Sequence, residues 1–540
     1  MKYFALLAIS LTLFSAGLSA QNATFNTTLR DQIDFEPRTN DIWGYVAPDS
    51  TEYALVGLQD AVSIVSLADP DNIVEIQRIE GTPTVWRDLK TMGDYAFVVA
   101  DGNVQDGLLV IDLSPLPDSV SFEFINLEHP TSGDSLTSAH NIYVDTKEGY
   151  AYIAGSNLNF GGQVIYDVSN PAQGVPFVAD APSVYAHDVY VQNDRMYASE
   201  IYVGTLTIYD VSDPQNIVFL GSAPTPSDFT HNAWTTADAN YIFTCDERPD
   251  APVAAYDISN ENEPILIDEF RPERSLGQGT IPHNVHVIDE YLVTSYYTDG
   301  LEIADASVPD NIIEVGYFDT WAPTDELGFN GNWGAYPFLP SGLVLMTDRD
   351  SGLYVVEVDY IRGARLHGNI TDADSGASLN GVSVVLTGPD DKATTTDATG
   401  DYKTGSAFGG AYTATFSLDG YDDLTVPVEL ENDVVTIVDT SLQLTAVNTE
   451  YIAKASVVVN VFPNPSDDFF QIDYDLPGRN FSTLSVKVTD QAGRTVAERR
   501  LESFAVSGRV QVGQQLPEGH YSIQLLSGDE LLYTTKVVKQ

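Results

Sequence analysis

The stretch "YAHDVYVQNDRMYASEIYVGTLTIYDVSDP", Tyr185–Pro214, decides the fold. Its closing phrase recurs along the chain, as "SIVSLADPDNIVEI" from Ser63, "LLVIDLSPLPDSV" from Leu108 and "QVIYDVSNPAQGV" from Gln163. It returns again as "VAAYDISNENEPI" from Val253, "LEIADASVPDNII" from Leu301 and a truncated "LYVVEVDY" from Leu353. The residues that pivot these phrases are Ser66, Asp112, Asp167, Asp210, Asp257, Asp305 and Glu357, separated by 46, 55, 43, 47, 48 and 52 residues. A period near fifty marks a repeat architecture. Within one period the pattern is wholly β: "HNIYVDT", "YAYIAG", "GQVIYDVSN" and "VPFVAD" are short runs rich in Val, Ile and Tyr, bounded by Gly, Asn, Asp and Pro. Four strands per unit, repeated radially, make a propeller blade. The expected fold class is all-β, a seven-bladed β-propeller over residues 21–361 followed by two small β-sandwich domains. The seventh unit lacks a strand, and Gln21–Gln32 is expected to supply it and close the ring. The pivot Asp is expected to cap the turn after its strand, with Pro bending the chain beyond it.

Length and charge agree with export. A chain of 540 residues exceeds one core. The net charge of -53, from 78 acidic and 25 basic residues, disfavours nucleic acid and anionic membrane surfaces as partners. The opening "MKYFALLAISLTLFSAGLSA" reads as a secretory signal over residues 1–20, cut between Ala20 and Gln21. No transmembrane segment is expected. The single cysteine, Cys245, permits no internal disulfide and is expected to be a buried free thiol.

The phrases "LTIYDVSDP", "QVIYDVSNP" and "SAHNIYVDTKEGYAYIAG" resemble LVIVD-repeat propellers, and more narrowly the choice-of-anchor B family of secreted bacterial proteins. That resemblance implies a propeller displayed outside the cell and fused to varying surface anchors; it implies no catalytic activity. After "YIRGARL" the period stops. "GNITDADSGASLNGVSVVLTG" and "TDATGDY" resemble the carboxypeptidase regulatory-like domain, a transthyretin-type sandwich, here spanning residues 362–445. Asp397 and Gly400 fit a tight turn there, while Asp372 and Asp374 are candidates for calcium without EF-hand spacing. A linker, residues 446–456, precedes "FPNPSDD", "DQAGRTV" and "LPEGHYSIQLL", which resemble the type IX secretion sorting domain over residues 457–540. This resemblance implies handling by the type IX machinery of a Bacteroidetes-type bacterium, then release or attachment to the outer surface.

Four of eight histidines stand at one place in four successive units: "SAHN" with His140, "YAHD" with His187, "FTHN" with His231 and "IPHN" with His283. They precede their pivots by 27, 23, 26 and 22 residues. A residue entering the innermost strand of neighbouring blades sits near one channel mouth. In the same register the second unit has Arg87-Asp88, the seventh Asn332-Trp333 and the first Trp43-Gly44. Three readings follow. His and the next residue (Asn141, Asp188, Asn232, Asn284) bond across blades and lock the ring. Alternatively, the four imidazoles hold a transition metal. Or the mouth, with Arg87, Asp88, Asn332 and Trp333, takes a small ligand or glycan. His286 is expected to point away from His283 and to be packed. Asp246 and Glu247 either complete a site beside His231 or pair with Arg248 at the surface, the latter being the expectation. No G-x-S-x-G, H-E-x-x-H or P-loop occurs. Two functions are therefore carried forward: a non-catalytic extracellular platform for a ligand, glycan or protein, and a metal-dependent extracellular oxidoreductase or hydrolase.

Overall fold

The computed structural model describes residues 23–321, 328–445, 458–476, 483–501, 507–528 and 530–540. The signal segment with Ala20 and Gln21, and the linker over 446–456, lie outside the described residues. Seven sheets form the blades. Their innermost strands are Thr39–Val46, Arg87–Met92, Asn141–Asp145, Asp188–Gln192, Thr230–Thr235, Asn284–Ile288 and Asn332–Tyr336, for blades 1 to 7. Each is followed by antiparallel partners running outward, and blade 7 lies against blade 1. The strands are short and rich in β-branched and aromatic residues, so one sheet face packs on the blade before and the other on the blade after. Phe97, Ile142 and Ile153, for example, share a core between blades 2 and 3, and Tyr197, Ile208 and Ile242 share one between blades 4 and 5.

The pivot residues end the third strand of their blades, and the expected cap is present. Asp112, Asp167, Asp210 and Asp257 each accept the backbone N–H two residues on, at 2.9–3.0 Å. The ring closes with residues from the N-terminal part. Thr27–Ile33 pairs with Gly352–Val358 and completes blade 7. Ala23–Phe25 goes instead to blade 6, pairing with Ile313–Asp319 as a fifth strand. The closure is thus divided between two blades, a division the truncated seventh repeat did not disclose. Cys245 is buried as a free thiol.

Residues beyond the propeller build a sandwich within the same compact unit, which ends at Thr445. One sheet centres on Ala364–Asp372 and the other on Ser383–Thr387 with Gly410–Ser417. Leu366, Ile370, Val384, Leu386 and Phe416 fill the space between them. Gly400 turns the chain at φ +82°, and Asp397 accepts the N–H groups of Thr399 and Asp401. Asp372 spends its oxygens on the N–H groups of Asp374 and Ser375 and on the Tyr421 hydroxyl.

The sandwich is clamped to blade 6. Arg365, 1% exposed, donates to Asp305 Oδ2 at 2.9 Å, to the Asp305 carbonyl at 2.9 Å and to the Asn311 carbonyl at 3.0 Å. Arg362 reaches Asp305 Oδ1 at 3.0 Å and the Gly363 N–H reaches Oδ2 at 2.7 Å. A pivot aspartate that elsewhere only caps a turn here also holds the next domain. Burial pushes the Asp305 carboxyl up, but the Arg365 guanidinium outweighs it and holds it below its ordinary range.

The second unit, Ala446–Gln540, is a sandwich of a three-stranded and a four-stranded sheet around Phe470, Ile472, Val486, Val488 and Ile523. Its "FPNPSDD" segment is stitched to the last strand, Glu530–Lys539. Asn464 bonds the Lys536 carbonyl and the Val538 N–H, and the Ser466 N–H donates to the Val538 carbonyl at 2.9 Å.

Replacing Asp305 by Ala leaves Arg365 buried without its charge partner, which costs about 3–5 kcal/mol; urea unfolding of the chain from Gln21 onward measures it. Because the folded pKa is depressed, this contribution is present above the unfolded value near 4 and is lost as pH falls through the folded one. The difference between wild type and Asp305→Ala should therefore shrink below about pH 4.

Candidate functional site

The innermost strands share one stepwise pattern that builds the channel in layers. At the mouth stand Arg87, His140, His187, His231, His283 and Trp333, one from each of blades 2 to 7, while Asn40, which has the same register in blade 1, is buried against Gly57 and does not line the cavity. In blades 1, 5 and 7 this residue is the extra one of a β-bulge, between Thr39 and Ile42, Thr230 and Asn232, and Asn332 and Gly334. A bulge lets two successive residues face the same way. The register at both ends of the expected set therefore moves. In blade 7 Trp333 lines the cavity and Asn332 does not, and in blade 1 the register of the histidine and its neighbour falls on Asn40-Asp41, with Asp41 lining the cavity, rather than on Trp43-Gly44.

Directly beneath runs a belt of Asp41, Asp88, Asn141, Asp188, Asn232 and Asn284, with Gly334 completing the circle. The belt bonds blade to blade. Asp88 Oδ2 accepts the Ile142 N–H and the Asn141 amide, both at 2.8 Å. Asn141 Oδ1 accepts the Val189 N–H at 3.3 Å, Asp188 accepts the Asn232 amide at 3.0 Å and Asn232 Oδ1 accepts the Val285 N–H at 2.9 Å. So Asn141, Asp188 and Asn232, each following a histidine, bond across blades, as one of the sequence readings has it, and His140 and His283 do so too, to Asp101 of blade 2 and to the Trp333 carbonyl of blade 7. Burial pushes the Asp188 carboxyl up to about 7.

Two residues farther in, Trp43, Lys90, Tyr143, Tyr190, Trp234, His286 and Tyr336 close the channel. Ring centroids lie 5.1 Å apart for Tyr143–Tyr190, 4.2 Å for Tyr190–Trp234, 4.8 Å for Trp234–His286 and 4.8 Å for Trp43–Tyr336. Lys90 Nζ lies 4.5 Å above Trp43 and 2.6 Å from Asp88, with Asp41 at 3.7 Å. His286 is therefore part of a plug. It is packed, as expected, but it lines the same cavity as His283, because His283 precedes the regular strand, which starts at Asn284, so the alternation on which the opposite orientation was argued does not reach it. Burial holds its imidazole down at about 3.

The result is a blind cup with about 50 Å³ of free space, lined by the four histidines, the belt and the plug. One water needs roughly 10–15 Å³ on this measure. The cup takes an ion or a few waters, and a sugar does not fit inside it.

The four imidazoles form an arc, with centroids 4.0, 4.1 and 4.4 Å apart from His140 through His187 and His231 to His283, and Trp333 follows at 4.7 Å. Their surroundings differ. His140 Nδ1 bonds Asp101 at 2.8 Å. His283 Nδ1 bonds the Trp333 carbonyl at 2.5 Å. The Nδ1 atoms of His187 and His231 are buried without a hydrogen-bond partner. Burial holds His187 and His283 well below the ordinary imidazole value and His231 below it, so these three are neutral at physiological pH. Glu247 enters the site from the loop after Tyr241–Asp246. Its Oε1 lies 3.9 Å from both His231 Nε2 and His283 Nε2 and accepts the Tyr297 hydroxyl at 2.6 Å. Among the described residues, His231, His283 and Glu247 are the donors that approach within 4.8 Å of one another. The expected Glu247–Arg248 surface pair is absent: Arg248 stacks on Phe229 at 3.7 Å. Asp246 turns to the Ser227 N–H. Arg87 turns outward to the Leu58 and Thr82 carbonyls, tying blade 2 to blade 1. Asn332 is fully buried beside the mouth, and its N–H bonds the Tyr297 carbonyl.

Comparison with known families agrees with this organisation. The LVIVD repeat matches residues 86–117 and 138–175, the carboxypeptidase regulatory-like domain 365–443 and the secretion system C-terminal sorting domain 460–540. The chain carries LVIVD repeats and a secretion sorting domain. Both LVIVD matches open at the mouth, at Trp86 and Ser138, and run outward past the pivot turn, so the repeat unit coincides with the strands that form the cup. The sorting domain addresses the protein to the type IX machinery and hence to the medium or the outer cell surface. No helix among the described residues is long and apolar enough to cross a membrane. No curated protein matches the chain. Among solved structures, a Bacteroides uniformis protein named as a candidate 6-phosphogluconolactonase matches at 9% identity, covering 51% of this chain and 84% of its own, with a TM-score of 0.40.

Lys90→Met removes the cation between Asp41 and Asp88 and strands buried carboxylates. Denaturant unfolding should show a loss of about 3–5 kcal/mol.

Proposed function

We propose that this LVIVD-repeat protein is a non-catalytic extracellular binding protein, and that it holds a neutral glycan across the face surrounding the histidine mouth. One observation carries the reading. The exposed large apolar side chains that the propeller places outside its strands are Trp86, Phe160, Tyr202, Val203, Leu276 and Phe329. All lie in loops joining second to third strands or one blade to the next, which antiparallel topology puts at the histidine end. Phe160 is 89% and Tyr202 75% exposed. Phe160 also holds φ at +55°, a region costly for a bulky residue, and strain of this kind gathers at functional sites.

The chemistry favours sugar. The rings stand on separate loops among polar residues such as Asn157 and Gln278, which suits a ligand with apolar faces and hydroxyl edges. A charge of -53 repels polyanions. The cup is too small to swallow a monosaccharide, so the ligand lies over it.

Native gels containing neutral glucan, mannan, xylan or galactan test the reading with the chain from Gln21 onward. Retardation is expected in at least one gel, and a Phe160→Ser, Tyr202→Ser double variant should weaken it more than about tenfold. Migration unchanged in all four would end the glycan reading and turn the search to protein partners. The metal-dependent reading has its own support in the convergence of His231, His283 and Glu247.

A further inference from the structure

We propose that His231 Nε2, His283 Nε2 and a Glu247 carboxylate oxygen bind one divalent transition-metal ion on the side of the cup nearest blades 5 and 6. The assignment stands apart from the glycan reading, and it differs from a site built of four imidazoles.

Three geometric facts carry it. Both Nε2 atoms lie 3.9 Å from the same Glu247 oxygen. That is too long for a hydrogen bond, which spans about 2.7–3.2 Å. It falls within the range for two ligands of one ion, because metal–ligand bonds of about 2.0–2.2 Å separate a pair by at most about 4.2 Å. All three donors already lie within 4.8 Å of one another, so tilts of the rings bring them to coordination distance. The tautomer is also set. His283 Nδ1 faces the Trp333 carbonyl, which can only accept, so Nδ1 carries the hydrogen and Nε2 keeps its lone pair toward Glu247. A backbone carbonyl behind a ligating imidazole is the usual support for a metal ligand. Tyr297 completes that support, holding the carboxylate oxygen through its hydroxyl at 2.6 Å.

The donor set selects the ion. Two imidazoles with one carboxylate suit zinc or iron(II), whereas calcium and magnesium take oxygen ligands. Remaining coordination positions face the cup, whose 50 Å³ has room for water ligands. His140 stays outside the set, since it follows His187 in the arc and is not among the donors that approach within 4.8 Å of one another.

The test uses the chain from Gln21 onward, without an affinity tag, stripped with EDTA and titrated with Co²⁺ while the visible ligand-field absorption is followed; Zn²⁺ is then added in competition. Saturation at one Co²⁺ per chain, reversed by Zn²⁺, is expected. Glu247→Gln keeps size and shape and should weaken binding at least tenfold with an unchanged far-ultraviolet circular dichroism spectrum. Tyr297→Phe should retain stoichiometry and weaken affinity about tenfold. His140→Ala should bind as wild type does. No ligand-field band, or a band that survives Glu247→Gln, overturns the proposal. A band abolished by His140→Ala but not by Glu247→Gln also overturns it and assigns the ion to the imidazole arc.

Discussion

The hydrogen bond from a side chain in one innermost strand to the backbone N–H of the next is the constraint on which the propeller turns. Asp88 to Ile142, Asn141 to Val189 and Asn232 to Val285 repeat one connection at three of the seven blade junctions. Strands of different blades are not laddered to one another, so their inner N–H groups need partners from elsewhere. Short Asp and Asn side chains supply them without filling the channel. Apolar faces between blades provide most of the cohesion, but they are non-directional. The belt gives the ring its angular register, and with it the placement of every residue above and below.

That register explains how a mouth of histidines can coexist with a plugged channel. Period-two alternation sends one residue of the strand into the belt, the next into the core between blades and the next into the plug. The strand entrance adds one more channel-facing position, and the histidines occupy it: His231 as the extra residue of a bulge, and His140, His187 and His283 just before the first paired residue of their strands. Neutral imidazoles there are stable because burial disfavours their charged form and no water-filled pore runs beneath them. The plug also confines a buried cation, Lys90, between carboxylates and an indole face, where a lone ammonium would be expensive.

The sandwich beyond the propeller is more than a tether. Asp305 occupies the turn-capping position of every blade, yet its carboxylate also receives Arg362 and Arg365. A residue read correctly as turn punctuation thus holds a domain interface. The propeller and its neighbour form one compact unit on that account, and the histidine-end loops are left to carry the exposed aromatic side chains.

The sequence by itself determined the number of blades, their strands and the four histidines in register. These depend on local period and on turn chemistry, and both are written in adjacent residues: the Val-Ile-Tyr runs, the Asp that caps, the Gly at a positive φ. It also determined the modular order, through motifs as specific as "FPNPSDD". Tertiary structure alone decided that Glu247 approaches His231 instead of pairing with Arg248, that His286 joins Trp234 in a plug and that Trp333 rather than Asn332 stands at the mouth. It alone divided the ring closure between blades 6 and 7 and made Asp305 a clamp. Each of these rests on a one-residue bulge or on a contact between distant segments. A bulge changes no composition or period that could be read in advance, and a carboxylate among 78 acidic residues becomes distinguishable only when folding sets it beside two imidazoles.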